Sequence, residues 1–539
     1  MDCDLSTDVV VIGGGLAGLR AADAARAWGA SVTVISKRPI GEAGATARAS
    51  GGFAAAFTPD DSPNRHLADI LAGGYGVCHH AQAERVANGA GEHLERLSSM
   101  AGGFAADEAG NLTGHKVPAH TVSRSAQFER GMPRLLKTLK NDLVSRGVAF
   151  LENHHASGWL RDGEDAIAGM EILSGKEIIR CRAGSVVLAT GGCGQLFPVT
   201  SNGPDLTGDG YALALMAGAT LRDMEFIQYT PTAFAAPHAL KGQTIVGTLL
   251  TVEGVHLRNR AGERFMQRYD PQRLERADRA TLARAIHQEI SGGRGTQAGG
   301  VYLDATTLTP DEFERHRPGF YLACRANGLD PAREPLETAP SVHTCLGGIA
   351  GDANLQAAQN LFAAGEALGG THGANRLSSN SLTEANVTGW LAGEAAAQNA
   401  EARRLVAGTL LADDPLQGLP CAGRGLSRDG LVELMGSAAG VARSGDVIEA
   451  ALTAVRNGRS QVGGAPDMAS LELRNMLLAA EAILASALAR TESRGAHYRE
   501  DFPQTDDANW SGNLFSRFVD GQVAPRLRPP QPSGSSRSK

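Results

Sequence analysis

Residues 8–37, DVVVIGGGLAGLRAADAARAWGASVTVISK, decide the fold. An unbroken apolar run, Val9 to Ile12, enters three consecutive glycines, and an alanine-rich stretch follows before a second apolar run, Val32 to Ile35. The pattern is that of buried strand, tight turn, helix and second strand, a βαβ unit. Within the turn, Gly13, Gly15 and Gly18 have the spacing of the dinucleotide fingerprint. Gly13 serves the turn, Gly15 the approach of a pyrophosphate and Gly18 the packing of helix on strand. The second strand ends at Ser36-Lys37, where a generic NAD domain carries an acid for a ribose hydroxyl.

Two later stretches repeat the strand-to-glycine junction: AGSVVLATGGCG at 183–194 and QNLFAAGEALGG at 359–370. Junctions so far apart imply one nucleotide-binding domain built from discontinuous segments, 1–235 and 343–400. Residues 236–342 lack such junctions and carry a charged helical pattern, RLERADRATLARAIHQEI, which reads as an inserted cap. Helical spacing in SLELRNMLLAAEAILASALARTESRG marks a helical domain over 401–520, and the Pro/Ser-rich end, 521–539, reads as disordered.

The 539 residues, 42% apolar and 20% charged, have a globular balance, and a net charge of -7 gives no electrostatic case for nucleic acid. The 67 glycines cluster in the junction loops, where backbone must come close to a ligand. Seven scattered cysteines with no C-x-x-C pair argue against a disulfide framework, a zinc site or an iron–sulfur cluster, so no metal is expected. No basic leader opens the chain and no apolar run approaches the roughly 20 residues of a membrane helix, so the expectation is a soluble, cytoplasmic protein without membrane insertion. One further loop, THGANRLSSNSL at 371–382, sets Arg376 among small residues. It is either an ordinary surface loop or a close-approach loop whose guanidinium grips a carboxylate or phosphate.

Six stretches occur together and in order: VISKRPIGEAGATARASGGFAAAF, LATGGCGQLFPVTSNGPDLTGDGYALALMAGATLRDMEFIQYTPT, RAGERFM, HTCLGGIAGD, LFAAGEALGGTHGANRLSSNSL and ARTESRGAHYREDFP. Through them the chain, from about residue 8 to about 515, resembles the succinate dehydrogenase/fumarate reductase flavoprotein family, which includes L-aspartate oxidase. The resemblance implies an α/β fold: an FAD-binding, Rossmann-like domain of glutathione-reductase type with an inserted α+β capping domain and a C-terminal helical domain. It implies that Gly13, Gly15, Leu16, Ala17 and Gly18 hold the FAD pyrophosphate, and that Ser36 and Lys37 lie on the adenosine side. Ala189, Thr190, Gly191 and Asp209 form a second FAD segment, and Glu366 binds ribityl hydroxyls. Ser378, Asn380, Ser381 and Leu382 line the isoalloxazine, with Ala45, Thr46, Gly51, Gly52 and Asn375 as further contacts. The catalytic residues implied are Arg279, moving a proton, and His343 and Arg376, holding a substrate carboxylate. Thr230, Thr251, Glu253 and His372 are the further substrate contacts.

The chain also departs from the family. Where covalently flavinylated members have a histidine, this chain has Ala45 before Thr46, so FAD is expected to bind non-covalently. The histidine of a QFHPT segment is Thr230, an exchange expected to weaken dicarboxylate binding by about 1–3 kcal/mol. The EGGHS segment of aspartate oxidases is matched to Leu112-Thr113-Gly114-His115-Lys116, without its amine-recognising glutamate. Ala280 stands where an aspartate follows the catalytic arginine, and the segment Thr251-Val252-Glu253 is shortened. The expected activity is FAD-dependent dehydrogenation or alkene reduction next to the carboxylate of a small carboxylic acid. Three alternatives remain: an L-aspartate-oxidase-like oxidase of an amino or imino dicarboxylate using oxygen or fumarate, the flavoprotein subunit of a quinone-linked complex, and a flavin-binding electron-transfer protein without substrate.

Overall fold

A computed structural model of the chain describes residues 3–117, 119–245, 247–403, 410–412, 425–460 and 467–529. The opening segment forms β1 (Leu5–Ile12), α1 (Leu16–Trp28) and β2 (Val32–Ser36), with β1 and β2 parallel from Val9↔Val32 to Ile12↔Ile35. Every residue of α1 from Leu16 to Ala25 is buried, which accounts for its alanines: a helix enclosed on all sides must be thin. Gly13 has φ +118, and a Cβ there would lie 2.1 Å from the Ala189 carbonyl oxygen; a Cβ on Gly18 would lie 1.9 Å from that of Gly13. The fingerprint spacing is therefore a packing requirement between the first two junctions.

On its other side β1 pairs in parallel with Glu177–Leu188, which pairs in parallel with Leu361–Ala363, while Ala149–Glu152 lies parallel beyond β2. The three strand-to-glycine junctions, separated by some 170 residues in sequence, thus end side by side at the carboxyl edge of one sheet, where open α/β sheets bind ligands. An antiparallel meander, His155–Arg161 and Ile167–Ser174, continues the sheet beyond Glu177–Leu188.

A long antiparallel pair, Ile227–Phe234 with Leu336–Cys345, leaves this body for the cap. Ile227 and Cys345 belong to the main core, whereas Phe234 and Leu336 at the far end belong to a second apolar core with Leu257, Phe265, Ile286 and Phe313. Two more strands, Val301–Asp304 and His256–Arg258, complete the cap sheet, and helix Arg279–Glu289 packs against it. This is the α+β insertion read from the sequence.

The C-terminal helices Arg428–Ala438, Gly445–Ser460 and Met468–Ala489 bury Met435, Ile448 and Ile483 in the same core as Val10, so this segment is helical without a core of its own. The tail reading is corrected in part. Gln522–Arg528 is a strand, paired with Asn513–Val519 in a sheet that includes Leu221–Arg222 and Gly348–Ile349. A partner strand satisfies the backbone that composition alone left unaccounted for. Residues 530–539 lie outside the described residues. The ARTESRG stretch fastens this segment to the body: the buried Arg490 donates to Glu225 at 2.6 Å, and Arg494 Nη1 donates to the Tyr75 carbonyl at 2.8 Å.

Candidate active site

Between body and cap lies a cavity of about 1440 Å³, walled by the three junctions, the start of α1 and the loop 375–382 on one side and by Thr230, Thr251 and Arg279 of the cap on the other. The helix dipole of α1 opens into it. No side chain caps Gly15, no acid stands in the first turn, and the Leu16 N–H is met by the Thr46 hydroxyl at 3.2 Å. This is the bare, positive helix end that phosphate groups occupy.

At the end of the cavity nearer β2, the Lys37 ammonium contacts Asp209 at 2.7 Å and Glu472 at 2.8 Å. Burial works against its charge, but the two carboxylates outweigh that effect and raise its pKa. Asp209 is in turn held well below the usual carboxylate range, burial being overcome by Lys37 and His155. The lysine's charge is thus satisfied within the protein by carboxylates from two distant segments.

Nearer the middle, Glu366 Oε1 accepts from the Cys345 N–H and the Thr344 hydroxyl, both at 3.0 Å. Burial nevertheless pushes its carboxyl up to about 7.

The opposite end is charged differently. Arg279 is the first residue of the cap helix, whose N-cap Asp278 accepts from the Thr281 N–H at 3.0 Å. Its Nη2 donates to Ser378 Oγ at 3.1 Å, its Nη1 has no partner among the described residues, and burial lowers its pKa to about 10. Arg376 Nη1 donates to the Leu377 carbonyl at 2.9 Å, while Nε and Nη2 are buried without a partner among the described residues. Burial, then repulsion from Arg279, brings Arg376 to about 9. His343 has Nδ1 2.9 Å from Ser201 Oγ; burial and the two guanidiniums hold its pKa well below the ordinary value, so the imidazole is neutral. Two cations and a neutral imidazole thus converge without an ion pair to either guanidinium among the described residues, an arrangement complementary to an anion.

Of the residues singled out in the sequence, most line this one cavity: Arg279, His343, Arg376, Thr230 and Thr251, with Gly13, Gly15, Leu16, Ala17, Ser36, Lys37, Ala45, Thr46, Gly52, Ala189, Thr190, Gly191, Asp209, Glu366, Asn375, Ser378, Ser381 and Leu382. Five stand off its wall. Gly18 packs against Gly13, Gly51 lies beside Phe128 and Gln127, and Asn380 is buried with its Oδ1 3.0 Å from His66 Nε2. Glu253 is exposed on the cap, and His372 is locked in a buried pair with Glu384 at 2.9 Å. A histidine held by a carboxylate at the start of helix Asn380–Arg403 braces the loop; it does not face the cavity.

The cavity also holds residues the sequence reading passed over: Ser201, Asn202, His120 and Arg317. The strap at 112–116 presents exposed His115 at the wall, whereas the buried imidazole five residues on, His120, reaches the Ser378 carbonyl at 2.8 Å. The only signal for His120 was its chemistry, since an irregular strap has no period to fix register.

A bare helix end, glycine junctions that tolerate close approach and an interior carboxyl with room for hydroxyl donors fit a flavin dinucleotide along the whole cavity. The cationic end then defines the class: a flavin-dependent oxidoreductase acting beside an anionic group. Comparison with known proteins agrees. Residues 8–382 match the FAD binding domain model, and residues 428–528 match the fumarate reductase flavoprotein C-terminal model. The chain is 36% identical over 546 residues to one subunit of the CoM/CoB fumarate reductase of Methanothermobacter marburgensis, covering 96% of this chain and 98% of that one. It is 35% identical over 506 residues to L-aspartate oxidase of Caulobacter vibrioides, covering 92% and 94%. Among solved structures, E. coli quinol fumarate reductase FrdA superposes with a TM-score of 0.89 at 27% identity, covering 99% of this chain and 98% of that one. The chain belongs to the fumarate reductase/succinate dehydrogenase flavoprotein family of FAD-dependent oxidoreductases. No helix among the described residues is long and apolar enough to cross a membrane.

Proposed function

We propose that this protein holds FAD non-covalently and moves two hydrogens across a C–C bond adjacent to the carboxylate of a small carboxylic acid. The observation that carries the reading is the pair of guanidiniums of buried Arg376 and half-buried Arg279, whose buried Nε and Nη2 (Arg376) and Nη1 (Arg279) have no partner among the described residues. A buried, unpaired cation costs several kcal/mol, which an entering carboxylate offsets. The non-covalent attachment is supported by Ala45, which offers no nucleophile on the cavity wall.

When bound, the flavin supplies hydride transfer at one carbon. Arg376 offers Nε and Nη2 as a fork to the substrate carboxylate, and His343 adds a neutral donor. Arg279 holds the proton for the neighbouring carbon; its pKa of about 10 makes it a better acid than a solvated guanidinium. Both cations stabilise negative charge developing next to the carboxylate. The cap, which carries Arg279, walls one side of the site.

Anaerobic titration of the purified flavoprotein with saturated and unsaturated carboxylic acids and amino acids tests the reading. Bleaching of the oxidised flavin by a saturated acid, or reoxidation of the reduced flavin by an unsaturated one, is expected; if no carboxylate does either, the proposal is wrong. Hydrogen peroxide formed with an amino acid substrate would instead place the chain with the oxidases, a reading that Leu112 to Lys116 do not favour, since they offer no carboxylate for an amine.

A further inference from the structure

His343 meets the substrate carboxylate as a hydrogen-bond donor only if its single proton is on Nε2, and the structure contains a device that decides this. The segment 200–202 is stitched to the strand carrying His343. The Ser201 N–H donates to the Val342 carbonyl at 2.9 Å, and the Thr200 hydroxyl donates to the same oxygen at 3.1 Å. The Asn202 side-chain amide donates to the His343 carbonyl at 2.8 Å, and the Asn202 N–H to Thr200 Oγ1 at 3.1 Å. Ser201 Oγ is thereby fixed 2.9 Å from His343 Nδ1 and 3.2 Å from the Val342 oxygen.

A serine has one proton to give. The Val342 oxygen already takes two donors, one for each lone pair, and its distance to Ser201 Oγ is the longer of the two. The hydroxyl proton therefore goes to Nδ1. A neutral imidazole that accepts at Nδ1 carries its proton at Nε2.

We propose that Ser201 is a positioning residue that sets the tautomer of His343, so that the ring presents Nε2–H to the carboxylate gripped by Arg376. The inference rests on the reading of the site as a carboxylate site, but its direct readout does not. In the FAD-loaded, ligand-free protein labelled with ¹⁵N-histidine, the long-range proton–nitrogen couplings of His343 distinguish Nε2–H from Nδ1–H. The resonance is assigned by its loss in His343→Gln.

The wild type is expected to show Nε2–H. Ser201→Ala is expected to move the proton wholly or partly to Nδ1 and to weaken carboxylate binding about 10- to 100-fold, the loss of one well-placed donor. Ser201→Thr, which keeps the hydroxyl, is expected to restore both. A wild type with Nδ1–H overturns the proposal. So does a Ser201→Ala protein that keeps Nε2–H, whatever its affinity, since weakened binding with an unmoved proton is a purely structural effect. If the wild type binds no carboxylate at all, the proposed function fails while the tautomer measurement still decides the role of Ser201.

Discussion

Replacing Arg376 by methionine separates what the residue does for the fold from what it does for a ligand. Two of its donors, Nε and Nη2, are buried without a partner among the described residues, and each such group costs about 1–3 kcal/mol. Against this stands its one bond, Nη1 to the Leu377 carbonyl, a charged hydrogen bond contributing about 1.5–3 kcal/mol. Methionine fills similar volume, has no donor to leave unmet and removes the repulsion from Arg279, which outranks the attraction to Glu366 and Glu384 that is lost with it. The ligand-free, FAD-loaded Arg376→Met protein is therefore expected to be more stable than wild type, by about 1–3 kcal/mol. Chemical denaturation at neutral pH, followed by flavin release and by circular dichroism, reads this. Binding moves the other way. Loss of a forked, buried ion pair costs about 3–5 kcal/mol, so carboxylate affinity read from flavin difference spectra should fall by roughly 100- to 4000-fold. Saturating carboxylate should raise the melting temperature of wild type and leave that of the variant unmoved. A variant that is less stable without ligand yet retains wild-type affinity would refute the argument that the unpaired guanidinium is held in readiness for an anion.

Arg279→Lys keeps a cation but loses the fork; flavin reduction or reoxidation by carboxylate should slow by about 10²–10⁴, while binding in difference spectra weakens far less, and an unchanged rate would remove its proton-transfer role. Glu366, raised by burial to about 7, retains in the folded apoprotein a proton the unfolded chain has lost. Its contribution is favourable at low pH and disappears as pH rises through 7, so Glu366→Gln should flatten the loss of apoprotein stability across that range; denaturation midpoints with the same pH slope in both proteins would contradict the assignment. Gly13→Ala puts a Cβ 2.1 Å from the Ala189 oxygen at φ +118, and the purified protein should contain little or no flavin by its visible-to-ultraviolet absorbance ratio.

Features imposed by backbone geometry were legible in the sequence. Gly13 and Gly18 could be read because nothing larger fits, and the three junctions because buried parallel strands write continuous apolar runs. The loss of those junctions marked an insertion, and the sequence resemblance named Arg279, His343 and Arg376, which all line the cavity. What could not be read was pairing across long separations. Lys37 finds its carboxylates at Asp209 and Glu472, and Gln522–Arg528 finds a strand partner that its proline-containing sequence does not advertise. His372 illustrates the opposite error: a histidine in a functional loop spends its Nε2 on Glu384, one helical turn into the element that follows, and so braces the loop from behind. His120 and Ser201 lie in irregular segments, where no periodicity distinguishes a wall residue from a solvated one.

The charge distribution along the cavity bears on what kind of acid it admits. Near β2, Lys37 is matched by two carboxylates, so its charge is spent within the protein. At the far end Arg279 and Arg376 have donors still to satisfy, which is more positive charge than one carboxylate neutralises. Thr230 removes an imidazole from the cap side, yet Arg317, also on the cap wall, brings a guanidinium whose pKa burial lowers. The cap side therefore does not become apolar when the family histidine is lost; its cation is drawn from another element. On the carboxylate reading proposed above, Arg317 is the cap residue expected to meet a second anionic group on the substrate. If so, Arg317→Gln weakens binding of a dicarboxylate in flavin difference spectra more than that of the matching monocarboxylate, and equal effects on both would show that the second group lies elsewhere.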